Sequence, residues 1–272
     1  MGRWMGWGSL LLLLAGCDPY RKLAKSRHLA DRDSAAFGYF RRKQYESATP
    51  LFEELVGLYR GSARAAEVLY HLAWARFYVR DYYAAERYFG QLAEEYPLSP
   101  RAEEALFLQA KMNYLLSADY DFDQKETRKA IDRLQVYLTL YPEGRYSAEA
   151  ERLLREMERK LELKAFHTAE VFYRIGRYRA AVVLYGDYLR QGSLPELREE
   201  AAYKRAAAAL QMAEQSVQEK QLPRFAEAEA HYQTFLQEYP KSRFLPILKS
   251  QYEHTQRVLR IPSREAGGAT GN

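Results

Sequence analysis

The chain is short of several things that other kinds of protein need. It has one cysteine, Cys17, in 272 residues. No intramolecular disulfide can form, and a cysteine-based zinc site would require a second chain. Only eight glycines lie between Asp18 and Glu265, which leaves few tight hairpin turns. No stretch alternates apolar and polar residues with Val, Ile and Thr over a useful length, so no strand is expected. Charge of either sign is nearly balanced: Lys+Arg 41 against Asp+Glu 36, a formal +5, too weak an excess to argue for a nucleic-acid partner. No apolar run reaches the ~20 residues that span a bilayer as a helix.

Catalytic motifs are missing as well. The five histidines (His28, His71, His167, His231, His254) form no HExxH pair, and there is no GxSxG, Walker loop or GxGxxG. Asp119, Asp121 and Asp123 are spaced like the start of a calcium loop. The pattern then fails, because Gln124 stands where a glycine is required and Ala130 where a glutamate is. Asp123 reads instead as the N-cap of the next helix, with Glu126 completing a capping box. Ser99-Pro100 reads as another helix start, with Pro at N1. Carboxylates are plentiful but fall on helix surfaces, and no acid–base pair stands out. The expectation is a chain with no enzymatic activity, no metal and no cofactor, and with no segment left over for a catalytic domain.

What the sequence does contain begins at its N-terminus. Residues 1–16 carry one charge, Arg3, and an apolar run of about a dozen residues centred on Leu10–Leu14, which suits a secretory signal. The run ends Leu14-Ala15-Gly16-Cys17, similar to a bacterial lipobox. The similarity implies cleavage before Cys17 and a covalent diacylglyceryl and N-acyl lipid on its thiol and amine. Two or more acyl chains anchor a domain stably, at ~0.8 kcal/mol per buried methylene. Residues 17–33, rich in Arg and Lys, read as a tether, and residues 261–272 as a disordered tail.

Between these lies a repeat. Tyr45, Ala48, Phe52, Leu55 and Tyr59 recur 37 residues later as Tyr82, Ala85, Phe89, Leu92 and Tyr96. Ala130, Leu134, Tyr137 and Tyr141 form a third copy. Ala181, Tyr185 and Tyr188 form a fourth, and Ala228, Tyr232, Phe235 and Tyr239 a fifth. The steps of three and four put each set on one helix face. Three copies end Tyr-Pro, where a helix must stop. A second apolar helix precedes each stripe, so the unit is a helix pair. The repeat accounts for much of the tyrosine, 23 residues in all. Ser147–Tyr173 contains neither Pro nor Gly and predicts one long helix. Ser216–Pro223 reads as an insert in the fifth copy, and Phe244–Arg260 as a capping helix.

The repeat length and Asp81-Tyr82-x-x-Ala85 with Phe89 and Pro97 resemble the tetratricopeptide repeat. The fold class expected is therefore all-α: a right-handed superhelical solenoid of about five tetratricopeptide-like helix pairs over 34–260, with a C-terminal cap. In such a stack the first helices line a concave wall. That frame makes Phe37, Phe40, Arg41, Trp74, Phe77, Tyr78, Lys111 and Tyr114 a candidate peptide groove, and Tyr173 and Arg174 a candidate partner face. Aromatic rings with interspersed cations suit an extended peptide.

Longer stretches resemble one family in particular. Asp121-Phe122-Asp123-Gln124 through Thr127-Arg128-Lys129-Ala130, Tyr141-Pro142-x-Gly144-Arg145-Tyr146, and Ala169-Glu170-x-Phe172-Tyr173 with Gly176-x-Tyr178-x-Ala180-Ala181 are similar to the BamD family of outer-membrane assembly lipoproteins. The fifth copy departs by its insert, and Asp18 after the lipid cysteine bears on sorting. The resemblance implies a non-enzymatic, lipid-anchored subunit facing the periplasm from the outer membrane. Its partners would be the POTRA region of a BamA-like barrel subunit and unfolded β-barrel clients. A scaffold for another envelope assembly, such as cell-wall or pilus machinery, is the alternative.

Overall fold

A computed structural model describes residues 19–260. The expected signal segment 1–16, the expected lipid site Cys17 and the expected tail 261–272 lie outside the described residues. Among the described residues every regular element is an α-helix. After a single turn, α1 (Arg21–Ala24), the helices come as five pairs and a cap. The pairs are α2 (Leu29–Arg41) with α3 (Tyr45–Leu58), α4 (Ala63–Tyr78) with α5 (Tyr82–Glu95), α6 (Ala102–Leu116) with α7 (Lys125–Leu140), α8 (Ser147–Arg174) with α9 (Tyr178–Gln191), and α10 (Pro195–Glu214) with α11 (Gln218–Glu238). The cap is α12 (Leu245–Arg260). This is the all-helical tetratricopeptide-like architecture that the repeat predicts.

The stripe residues are the core. Ala48, Ala85, Ala130, Ala181 and Ala228 are all fully buried, as are Phe52, Phe89, Leu134 and Tyr185 one turn on. Alanine lets the neighbouring helix approach closely, and the large residue fills the space that approach leaves. The turns inside the first, second and fourth pairs share one device. Lys43, Arg80 and Gly176 adopt φ of 60°, 63° and 73°. At each, the next residue's N–H reaches back to the carbonyl five residues earlier: Gln44 to Tyr39, Asp81 to Arg76, Arg177 to Phe172, all at 2.9 Å. This left-handed cap satisfies carbonyls that the helix end would orphan. Asp81 also caps the start of α5, accepting from the Ala84 N–H at 3.1 Å.

The helices divide into two compact units. The first holds residues up to Leu116 together with Val136–Ser147, and the second holds Ser117–Gln135 together with the chain from Ala148 onward. In the first unit α2 packs on α3, α3 on α4, α4 on α5 and α5 on α6. In the second α9 packs on α10, and α11 bridges to the cap, with α12 also reaching α10 directly.

Several local expectations need correction. The tether is shorter than 17–33: α1 and the first turn of α2 are already folded, with the Tyr20 ring 5.5 Å from Tyr39 and Asp33 ion-paired to Arg64 at 2.6 Å. The insert 216–223, to which the sequence assigns no structure, is mostly helix: it extends α11 backwards by more than a turn, with Pro223 inside that helix. α6 begins at Ala102, so Pro100 precedes the helix instead of occupying its first turn. The loop before α7 is organised by Gln124, not chiefly by Asp123. The buried Gln124 amide donates to the carbonyls of Asp119 (2.7 Å) and Phe122 (3.0 Å) and accepts from Thr127 Oγ1 at 2.7 Å. Asp123 accepts only a long 3.4 Å bond from the Lys125 N–H.

Candidate functional site

In the first unit the groove residues split into two groups. Phe37 and Phe40 pack inward. Their rings meet the His71 imidazole edge-on at 4.7 and 5.0 Å, and Phe52 lies 5.1 Å from Phe37. They form the seam between α2, α3 and α4. Burial among these rings pushes the His71 imidazole below its ordinary range, against the opposing hydrogen bond to the Glu67 carbonyl. In the second group only Tyr78 is exposed; Trp74 and Phe77 are half-buried, and Trp74 also meets the buried Phe89 edge-on at 5.6 Å. Tyr78 is 48% exposed and stacks on Tyr45 at 4.3 Å on one side and on Trp74 at 5.7 Å on the other. Phe77 meets Trp74 edge-on at 5.2 Å. A shallow cleft of ≈ 340 Å³ opens beside Tyr45 and Tyr78. Arg41 is exposed, the Lys111 ammonium lies 5.6 Å from the Phe107 ring, and Tyr114 is half-buried.

Tyr45 belongs to this surface although the groove reading left it out. Its place in the repeat stripe marks it as a core residue. As the first residue of α3, however, it projects past the hairpin end and meets Tyr78, the last residue of α4.

In the second unit the expected partner face does not hold together. Tyr173 lies one turn after the fully buried Ala169 and turns to the same side, against Tyr178 at 5.6 Å. Burial, with Tyr203 and Tyr178 nearby, raises its phenol. Arg174 is exposed on a different face. The neighbouring Phe172 instead lines a cleft of ≈ 770 Å³ with Val183, Leu184 and Met212, and three guanidiniums, Arg177, Arg179 and Arg224, contribute to its wall. No carboxylate contributes to that lining. Val183 is 56% exposed within it. The cleft draws on four helices, α8 to α11, and two turns, so no local sequence pattern announces it.

Carboxylates serve elsewhere as braces. The stripe tyrosines Tyr137 and Tyr188 donate to Glu103 (3.0 Å) and Glu162 (2.8 Å), each on the preceding helix of its pair. The same two carboxylates accept a backbone N–H from the turn that follows, Arg145 and Leu194, both at 2.7 Å. Burial alone would raise the Glu162 carboxyl, but bonds from Leu194, Tyr188 and Ser193 hold it below the ordinary value. Glu53 is held down in the same way by Arg76 and Tyr88. These groups are acceptors with all their bonds made, not poised acids. Among the described residues no cluster of His, Cys, Asp and Glu could hold a metal, and no helix is long and apolar enough to cross a membrane.

Comparison with known proteins gives this arrangement its context. The family model YfiO, described as an outer membrane lipoprotein, matches residues 34–191, more than half of the chain. The chain belongs to the YfiO family of outer membrane lipoproteins. The match spans the first four helix pairs and ends with α9, so the Phe172 cleft lies partly inside it and α10 to α12 beyond it. No curated protein matches the chain in sequence. Among solved structures that resemble it is a TPR repeats protein from Bacteroides fragilis, 14% identical, with a TM-score of 0.42, covering 86% of this chain and 100% of that chain. The repeat architecture rests on the helix pairs described above.

Proposed function

We propose that this YfiO-family lipoprotein is a BamD-like, non-enzymatic subunit of the β-barrel assembly machinery. Cys17, carrying diacylglyceryl and N-acyl chains, anchors it to the outer membrane with the repeats facing the periplasm. The second unit holds the POTRA region of a BamA-like barrel subunit, and the outward aromatic surface of the first unit engages unfolded β-barrel clients. Tethering both partners raises their effective concentration, and no bond chemistry is required.

The observation that carries this reading is the family match over residues 34–191. The two surfaces support it. A row of stacked rings at Tyr45, Tyr78 and Trp74 offers apolar area at low entropic cost to an extended chain. The arginine-walled cleft at Phe172 suits a folded acidic partner.

Site-specific photocrosslinking in the host membrane tests both assignments. A crosslinker at Tyr78 should capture unfolded barrel proteins, and one at Val183 should capture the barrel subunit. Depletion should lower the barrel content of the outer membrane. Capture of cell-wall or pilus components at both positions, with barrel levels unchanged on depletion, would overturn the proposal.

A further inference from the structure

A second, smaller cavity of ≈ 290 Å³ lies between α9, α10 and α11, apart from the Phe172 cleft. Its wall includes Gly186, Arg190, Arg198, Arg205, His231 and Glu238. Two of the three arginines are already used. Arg198 donates to the Leu189 and Gly192 carbonyls at 2.8 and 2.7 Å, closing the end of α9. Arg190 pairs with Asp187 on its own helix.

Arg205 is different. Among the described residues its guanidinium makes no hydrogen bond and no ion pair, and its Nε is buried without a partner. Arg32 and Arg76 also have a buried, unpaired Nε, but each has a carboxylate on its terminal nitrogens: Glu54 for Arg32, Glu53 and Asp81 for Arg76. Across the cavity the His231 ring is only 16% exposed, and its Nε2 is likewise buried without a hydrogen bond, 3.8 Å from Glu227. Burial, then the Arg190 charge, lowers the Arg205 guanidinium's pKa below the ordinary arginine value, against the opposing charges of Glu227, Asp187 and Glu238.

The repeat shows what is missing. Gly186 lies five residues after the stripe alanine Ala181, and Gly90 lies five after Ala85. In each case a side chain 19 residues further on covers the glycine. Over Gly186 it is Arg205, whose Cζ would lie 3.3 Å from an added Cβ. Over Gly90 it is Gln109, whose amide donates to Glu86 at 3.0 Å, one turn before the glycine. The residue one turn before Gly186 is Val182, with no acceptor to offer. The earlier repeat thus supplies its own carboxylate to a neutral amide. The later one has a guanidinium in the same position and no carboxylate in hydrogen-bonding or ion-pairing contact with it.

We propose that the Arg205 cavity is a binding site for one carboxylate side chain from an acidic peptide segment of a partner protein. A planar guanidinium fork matches a planar carboxylate with two parallel N–H donors. Arg190 is neutralised by Asp187, and Glu238 faces the same space, so the site balances a single negative charge and disfavours a phosphate dianion. The volume admits one side chain, not a folded element. The site is independent of the assembly role proposed above and of the Phe172 cleft.

The test is NMR of the arginine Nε–H resonances of the full chain, titrated with two short capped peptides that differ only in one residue, glutamate or glutamine. Inorganic phosphate is the third probe. The glutamate peptide should shift the Arg205 signal saturably and bind at least about tenfold more tightly than the glutamine peptide, the scale of a hydrogen-bonded charge. Arg205→Gln, which installs the side chain found at Gln109, should abolish the difference while the helical circular dichroism stays unchanged. Arg205→Lys, which keeps the charge but not the fork, should bind several-fold more weakly. Equal binding of the two peptides, no response at Arg205, or tighter binding of phosphate than of the glutamate peptide would each overturn the proposal. The peptide contrast on the unaltered chain decides the matter even if the variants fold poorly.

Discussion

The two units fill similar stripes from opposite sides. In the first, the helices facing the stripe bring large rings: Phe37, Phe40, Tyr70, Trp74 and Phe107. In the second, α10 brings alanine at 201, 202, 206, 207, 208, 209 and 213, all buried, with Leu210 beside them, and most of the large side chains come from α8, α9, α11 and α12. A ring-filled seam continues to the surface, so the first unit ends in stacked aromatics that a flexible chain can lie against. An alanine-filled seam draws helix backbones together. It leaves the longer side chains at the seam's margins, where they wall clefts with guanidiniums. The difference shows how one repeat pattern yields two kinds of binding surface from the choice of the facing residue.

The contrast can be broken by mutation. Among the described residues Trp74, in the first unit, is the one tryptophan, so in a chain that begins at Cys17 its fluorescence reports that unit, while far-ultraviolet circular dichroism reports both. Phe52→Ala should cost about 3–5 kcal/mol, as for deletion of a fully buried ring. It should move the Trp74 transition in thermal or urea unfolding. Ala207→Leu should cost about 1–3 kcal/mol by overpacking and move the circular-dichroism transition with little change at Trp74. If either substitution shifts both probes equally, the units unfold as one body and the contrast is lost.

Glu162→Gln should destabilise the second unit by about 1–3 kcal/mol, through bonds weakened at Tyr188, Ser193 and Leu194. The Glu162 carboxyl is depressed in the folded state. Its contribution is therefore complete above the ordinary carboxylate pKa and is lost as pH falls through the lower folded value. Acid unfolding monitored by circular dichroism should be less steep in the variant than in the parent.

A smaller effect should come from His71, which is held neutral by burial in the first unit. The unfolded chain takes up this proton near pH ~6.5 and the folded chain only below that. Stability at Trp74 should therefore decline as pH drops from about 7 towards 5. His71→Gln should flatten that decline.

Much of the fold was legible because helix periodicity is local. The stripe positions, the uninterrupted helix from Ser147 and the Tyr-Pro stops follow from three- and four-residue spacing and from proline's missing N–H. The surfaces were less legible. Phe37, Phe40 and Trp74 satisfy the same aromatic criterion as Tyr78, and only the folded packing leaves Tyr78 exposed while the other three are half-buried. Tyr173 and Phe172 are adjacent in sequence, yet the helix turns one towards Tyr178 and the other to the cleft. The insert at 216–223 becomes the start of α11 even though Pro223, inside that helix, gives up one helix hydrogen bond. Arg205 gave no sequence signal by itself. Its interest appears only when Gly186 and Val182 are set against Gly90 and Glu86.

The cap has a consequence for the order in which the chain is completed. Tyr252 of α12 is fully buried, stacks on Tyr232 at 4.5 Å and donates its hydroxyl to the Ala206 carbonyl at 2.7 Å, reaching past α11 to α10. The first unit has all its residues once Ser147 is present. The second cannot close its alanine-rich seam until Tyr252 arrives, much later in the chain. A chain delivered from its N-terminus therefore presents a finished aromatic surface while the arginine-walled half is still open. In that interval the unclosed α10 seam is the part most exposed to proteolysis.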